Sequence, residues 1–151
     1  MANLILRNAL PSDVEGISQC AVAAYDKYIE RMGKVPAPMI ADFKSAVDTK
    51  NVVVACRADE LLGYVVFYPI EESMHLENIA VFPSYAGSGT GRKLIAEVER
   101  IAAALGLESV ELYTNEAMTE NLQMYPMLGY QECDRRCEDG FNRVYFHKSI
   151  V

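Results

Sequence analysis

Positive charge is scarce in this sequence: 14 lysines and arginines stand against 21 acidic residues, giving a net charge of −7. A protein that neutralises nucleic-acid phosphates needs a basic face, so nucleic acid is not an expected partner. Long apolar runs are missing too, and none approaches the ~20 residues that span a bilayer. The first segment, Met1–Arg7, is too short and too soon charged for a signal peptide, so the expectation is a cytoplasmic protein with no membrane partner. Metal-ligating residues are few. The four cysteines (Cys20, Cys56, Cys133, Cys137) and two histidines (His75, His147) include one C-x3-C spacing, without the second Cys or His pair that a zinc site needs. No metal is expected, and the thiols read as small, half-buried, reduced residues. The acidic balance suits a cationic substrate, although it also serves solubility alone.

What remains is ordinary globular material. Apolar residues make up 51% of the chain and charged residues 23%, and 151 residues suit one domain covering 1–151. Leu4 to Arg7 reads as an opening strand. Ser12 and Glu15 have the spacing of a capping box, and Ile17, Ala21, Ala24 and Tyr28 follow at helical spacing, predicting a helix to about Met32. Met39, Phe43 and Val47 mark a short second helix. Strands are predicted over 52–57, 62–68 and 74–82, with Ala58–Glu60 as a hairpin turn. From Gly91 the period changes to that of a helix, with Gly106 at its C-cap. A strand over 109–114, a helix ending before Gly129, and strands near 130–135 and 143–148 complete the chain. Pro126 removes a helix amide and disfavours helical geometry at Tyr125, predicting a kink or an early 3₁₀ ending there. The order β-α-α-β-β-β-α-β-α-β-β implies an α/β fold with a mixed sheet.

Between the third of those hairpin strands and the long helix lies Gly87-Ser88-Gly89-Thr90-Gly91-Arg92-Lys93. Glycines let amides turn inward on an anion, and the helix start adds unpaired N–H groups and a positive dipole end. A pyrophosphate suits such a turn. A Walker A loop would need Lys-Ser/Thr after the last glycine, and Arg92 stands there instead. A dinucleotide fingerprint needs G-x-G-x-x-G after a first strand, whereas here the spacing is G-x-G-x-G behind two hairpin strands.

The stretch Leu76-Glu77-Asn78-Ile79-Ala80-Val81-Phe82-Pro83, followed by the glycine turn and a helix, resembles the central motif of the GNAT superfamily of acetyl-CoA-dependent N-acetyltransferases. Asn121 to Tyr130, with Tyr125 ahead of Gly129-Tyr130, resembles its next motif. The resemblance covers nearly the whole chain and implies acetyl-CoA as acyl donor, with no metal. It implies transfer to a primary amine of a small molecule or peptide by direct attack, or else an inactive acyl-CoA-binding module of the same fold. The family often dimerises, which leaves a homodimer open.

The same resemblance assigns residues. Gly89 and Gly91 match the family's loop, but Ala86 stands where the family has Gln or Arg, so the grip falls to backbone amides of Gly87 to Arg92, through Ser88, Gly89, Thr90 and Gly91. Arg92 and Lys93 either reach a phosphate or are solvated helix charges. Ile79, Ala80 and Val81 match the strand whose main chain pairs with the pantetheine arm before it splays from the next strand. Tyr125 matches the acid that protonates the departing thiolate; a phenol with an unperturbed pKa of ~10 is protonated at neutral pH. The base is Glu77, His75 or an ordered water. Asn115 and Asn121 are cofactor contacts or, in turn, a turn residue and a helix start.

Overall fold

A computed structural model describes residues 3–151. Met1 and Ala2, which open both the expected 1–151 domain and the segment weighed as a signal peptide, lie outside the described residues. The strands are β1 (Leu4–Asn8), β2 (Val52–Arg57), β3 (Glu60–Ile70), β4 (Ser73–Val81), β5 (Ser109–Asn115), β6 (Gln131–Glu138) and β7 (Phe141–Ser149). The helices are α1 (Val14–Tyr25), α2 (Tyr28–Met32), α3 (Phe43–Asp48), α4 (Thr90–Ala104) and α5 (Thr119–Met127). The strands hydrogen-bond in the order β1-β2-β3-β4-β5-β7-β6, a seven-stranded sheet. Hairpin neighbours run antiparallel, while β4 and β5, joined through α4, run parallel, so the expected mixed α/β sheet is what forms. The chain divides into two compact units, Met1–Phe67 with Asn78–Glu97, and Tyr68–Glu77 with Val98–Val151.

In the first unit, Val52 to Cys56 of β2 are all buried, the mark of a strand covered on both faces. Each such valine contributes about 1.5–3 kcal/mol of apolar burial. α1 buries Ile17, Cys20, Ala21 and Tyr25, one stripe at helical spacing. From α3, whose first turn is capped by Asp42 accepting from the Ser45 amide at 3.0 Å, Phe43 packs edge-on against Tyr64 at 5.2 Å. Tyr64 is fully buried and donates to Asn78 Oδ1 at 2.8 Å. Gly63 is where β3 approaches β4 most closely; a Cβ there would lie 2.6 Å from the Ala80 carbonyl oxygen.

Two local expectations are corrected here. Ser12 and Glu15 do not form the capping box. A 3₁₀ turn over Pro11–Asp13 precedes α1, and Asp13 accepts from the Leu10 amide at 2.7 Å while pairing with Arg7 at 2.8 Å. Asp13 wins because β1 places a guanidinium against it. The first helix also does not run unbroken to Met32. It stops at Tyr25 and resumes at Tyr28, the Ile29 amide taking the Asp26 carbonyl three residues back, a tightened 3₁₀-type bond.

In the second unit, β7 lies between β5 and β6, with Leu112 opposite Phe146 and Tyr113 opposite Tyr145. α4 ends at Ala104 and is closed off by Gly106 at φ +77°, the Leu107 amide reaching back to Ala102 O, in keeping with the C-cap the sequence predicts at Gly106. α5 does not stop at Tyr125. It passes through Pro126 to Met127, because the proline forfeits only its own amide toward the residue four back. The 3₁₀-type bonds come later, from Leu128 to Tyr125 O and from Gly129 to Pro126 O, and the Tyr130 amide closes on Tyr125 O at 3.1 Å. β6 is exposed along Gln131–Cys137, and its charges pair along the strand, Arg135 with Glu132 and Arg136 with Asp134. Charge on both faces is how an edge strand avoids pairing with another chain. Cys133 and Cys137 are therefore exposed rather than half-buried, unlike the buried Cys20 and Cys56, and all four thiols are free. Burial pushes the Cys20 thiol up to about 12.

Candidate active site

The glycine turn and the end of β4 belong to the first unit. A 3₁₀ turn over Pro83–Tyr85 leads out of β4, and the Ser88 amide bonds back to Tyr85 O at 3.2 Å. Gly87 and Gly89 then take φ of +81° and +87°, conformations that only glycine adopts freely. The Lys93 amide closes the first turn of α4 on Gly89 O at 3.1 Å. Helix geometry therefore gives the amides of Thr90, Gly91 and Arg92 no acceptor within α4. Those three amides, with the helix dipole behind them, form a cradle of unpaired donors at the helix start; Ser88's amide is taken up inside the loop. The cradle is open, since a Cβ at Gly87 or Gly89 would meet nothing within 4 Å. The Thr90 side chain is buried and shares a 2.9 Å hydroxyl contact with Ser88, pinning the turn to the helix start. Arg92 and Lys93 are exposed.

β4 meets this cradle from the side. Val81 Cγ2 lies 3.8 Å from where a Cβ of Gly91 would be. Ala80 is buried, while Ile79 and Val81 are half-exposed, as alternation along a strand requires. The Ile79 carbonyl accepts the Tyr25 hydroxyl at 2.6 Å, which fixes this length of main chain. Tyr25, Tyr28 and Phe43 are core residues of the first unit.

The candidate acid and bases belong to the second unit, and there they occupy opposite faces of one sheet. Directly paired residues project to the same side, so Leu76, Leu112 and Phe146 share a face. Tyr125, 3% exposed, packs on that face, 5.7 Å from Phe146 and 5.8 Å from Tyr130. Tyr130 donates to Glu99 Oε2 at 2.9 Å, and Lys148 holds the other oxygen at 3.0 Å, so the end of α5 is clamped beside Tyr125. Asn121, one turn earlier on α5, donates to Thr114 Oγ1 at 3.1 Å, while Asn115 accepts from the Ala117 amide at 2.9 Å. Asn121 therefore ties α5 to β5, while Asn115 shapes the turn between them.

His75 and Glu77 lie on the other face. His75, 9% exposed, is flanked by Tyr68 at 5.3 Å and Tyr113 at 5.8 Å, and Tyr113 contacts Tyr145 at 5.4 Å. Burial pushes the His75 pKa below its ordinary value, favouring the neutral imidazole. Glu77 is exposed, with the Tyr68 hydroxyl 3.5 Å from its Oε1. Burial, and then the Glu77 charge, raise the Tyr68 pKa. The register from Ser73–Ser109 to Leu76–Leu112 is unbroken, so no bulge in that stretch redirects His75.

Tyr68, Tyr113 and Arg143 were not picked out by sequence reasoning. Arg143 lies over Tyr113, 4.4 Å from its ring centre. Only the β5–β7 register, which sets Asn115 opposite Arg143 and Tyr113 opposite Tyr145, reveals that these side chains form one row. Among the described residues no group of His, Cys, Asp or Glu is arranged to hold a metal ion, and no helix is long and apolar enough to cross a membrane.

Comparison with known proteins agrees with this fold. The sequence model of the Acetyltransferase (GNAT) family matches residues 21–130. An uncharacterized protein of Mycobacterium leprae is 27% identical in an alignment 140 residues long that covers 88% of this chain. The chain spans only 36% of that relative's length. Among solved structures, the PaiA N-acetyltransferase from Thermoplasma acidophilum, in complex with coenzyme A, superposes with a TM-score of 0.80 at 15% identity, over 97% of this chain and 99% of that one. The ribosomal-protein-S18-alanine N-acetyltransferase of Escherichia coli does so with a TM-score of 0.79 at 16% identity, over 98% and 94%. At these identities the structural likeness establishes the fold.

Proposed function

The chain belongs to the GNAT acetyltransferase family, and we propose that it transfers the acetyl group of acetyl-CoA to a primary amine of a small molecule or peptide by direct attack. The observation that carries this reading is the open cradle at the start of α4. Two glycines at positive φ turn the chain, and three helix-start amides are left to face an anion. Its residues fit a pyrophosphate without help from a side chain, as the absence of Gln or Arg at Ala86 requires. The coenzyme A complex of the Thermoplasma acidophilum relative supports the same donor.

In this reading the main chain of Ile79–Val81 aligns the pantetheine arm. Glu77 takes the amine's proton, directly or through a water, and His75 is its competitor for that role. The amine nitrogen bonds to the thioester carbonyl carbon, the carbon–sulfur bond breaks, and the sulfur, reached from both faces of the sheet past the last β4–β5 pair at Leu76–Leu112, receives the Tyr125 phenolic proton. Asn121 keeps Tyr125's helix in place against β5, and Asn115 holds the turn that leads into it.

The test is titration with coenzyme A followed by thiol release from acetyl-CoA over a panel of amines. The expected result is saturable binding and amine-dependent thiol release. Binding without release for any amine would move the chain to the second reading, an acyl-CoA-binding module. Absence of binding would sink both.

A further inference from the structure

Arg143 is the least explained charge of the second unit. Its side chain is only 14% exposed, yet its nearest carboxylate oxygen, Glu138 Oε1, lies 3.9 Å away, beyond hydrogen-bonding distance. That same oxygen already accepts the Tyr145 hydroxyl. The guanidinium is held flat by aromatic rings instead, 4.4 Å from the centre of Tyr113 and 5.5 Å from that of Phe141. Rings satisfy its faces but offer nothing to the N–H groups in its plane. A partly desolvated guanidinium, fixed in orientation and with its fork unpaired by any described hydrogen bond, is suited to a planar carboxylate.

Its position says which carboxylate. One ring, Tyr113, separates Arg143 from His75, and Tyr68 links His75 to Glu77. All of these lie on the face that carries the candidate base. Resting on the proposed transfer to an amine, we infer that the acceptor is a zwitterionic amine of the amino-acid class. Its carboxylate pairs with Arg143, its carbon chain lies over Tyr113, and its amine points toward Glu77 and His75. Arg136, stacked 4.5 Å from the centre of Tyr145 but bonded to Asp134 at 2.6 Å, is already neutralised and leaves Arg143 as the recognising charge. The acidic balance of the whole chain does not conflict with this, since a zwitterion carries the cationic group that such a surface attracts.

The chain has nine tyrosines and no tryptophan, so its intrinsic emission is that of tyrosine, and Tyr68, Tyr113 and Tyr145 of this site contribute three of the nine rings. Tyrosine fluorescence of the full chain with coenzyme A present is titrated with a panel of N-acetyl amino acids, the products of such a reaction, and with their carboxamides. Thiol release is then compared for the matching free amino acids, amino-acid amides and simple alkyl amines. At least one acid should bind about tenfold or more tighter than its amide, and the free amino acid should be the better acceptor by a similar factor in kcat/KM. Arg143→Met should erase the difference, while Arg143→Lys, which keeps the charge but not the fork, should retain part of it. The inference is overturned if no acid saturates, if acids and amides bind alike, or if Arg143→Met leaves the preference intact. The comparison on the unaltered chain stands even if a variant fails to fold. Turnover of alkyl amines and amides without any preference for acids overturns the inference while the acyl-transfer reading survives. Loss of thiol release with every amine removes that reading instead.

Discussion

In the proposed reading, the glycine turn of the first unit and the aromatic row of the second use different parts of the chain for recognition. The turn works with main chain: Gly87 and Gly89 supply dihedrals, Thr90 to Arg92 supply amides, and the side chains of Arg92 and Lys93 are exposed. The row works with side chains: Tyr68, His75, Tyr113, Tyr145 and Arg143 are aligned by strand register, and each contributes a ring or a charge. A main-chain site tolerates most substitutions and fails when a dihedral is forbidden. A side-chain site fails when one functional group is deleted. The difference can be broken or sharpened by single substitutions.

The largest effect is expected where one hydroxyl carries chemistry. Tyr125→Phe removes the proposed acid and keeps the ring packing against Phe146 and Tyr130. Steady-state thiol release should show kcat lower by about 10²- to 10³-fold, the size of a general-acid contribution, with coenzyme A affinity nearly unchanged. An unaltered kcat would take Tyr125 out of the chemistry and reduce it to a core aromatic.

A smaller effect is expected in the turn, and there the contrast between neighbours matters more than the size. Valine at position 89 would have to adopt φ near the +87° of Gly89, a strain of about 1–3 kcal/mol for a β-branched residue. Calorimetric titration should show coenzyme A binding weakened by roughly 5- to 150-fold, the same energy read as affinity. Ser88→Ala loses one hydroxyl contact with Thr90 and should cost less than about fivefold, the net worth of an ordinary hydrogen bond. If the two variants are equally harmful, the grip runs through the Ser88 side chain and the main-chain account fails.

The two regions were also unequally legible in the sequence. The turn is local: Gly87, Gly89 and Gly91 are adjacent, and a change of period after them announces α4. The β2 strand was equally plain, because five consecutive buried apolar residues need no partner to be recognised. The row is non-local. Tyr68, His75, Tyr113 and Arg143 are dispersed along the chain, and only the order β3-β4-β5-β7 brings them onto one face. The misread helix ends have the same origin. Ser12 carried a valid capping signal, but Arg7 of β1, five residues earlier, gave Asp13 the stronger partner. Pro126 carried a valid stop signal, but Leu128, Gly129 and Tyr130 supply bonds that let α5 finish two residues later.

The last test asks whether the row is as rigid as its packing implies, and it reads stability. Burial between Tyr68 and Tyr113 depresses the pKa of folded His75 below the 6.5 of an unfolded histidine. Above 6.5 both states are neutral, and the stability contributed by burying a neutral imidazole is fully present. As pH falls through 6.5 the unfolded chain takes up the proton first, so stability is lost progressively until the lower folded pKa is passed. One proton sets the ceiling, about 1.4 kcal/mol for each pH unit in that window. Urea unfolding of the unaltered chain and of His75→Gln at pH 7.5 and pH 5.5 isolates this contribution, because the remaining groups are common to both. The unaltered chain should lose more stability between the two pH values than the variant does. Equal losses would mean that the imidazole reaches solvent in the folded chain, and that the row opens where the geometry has it closed.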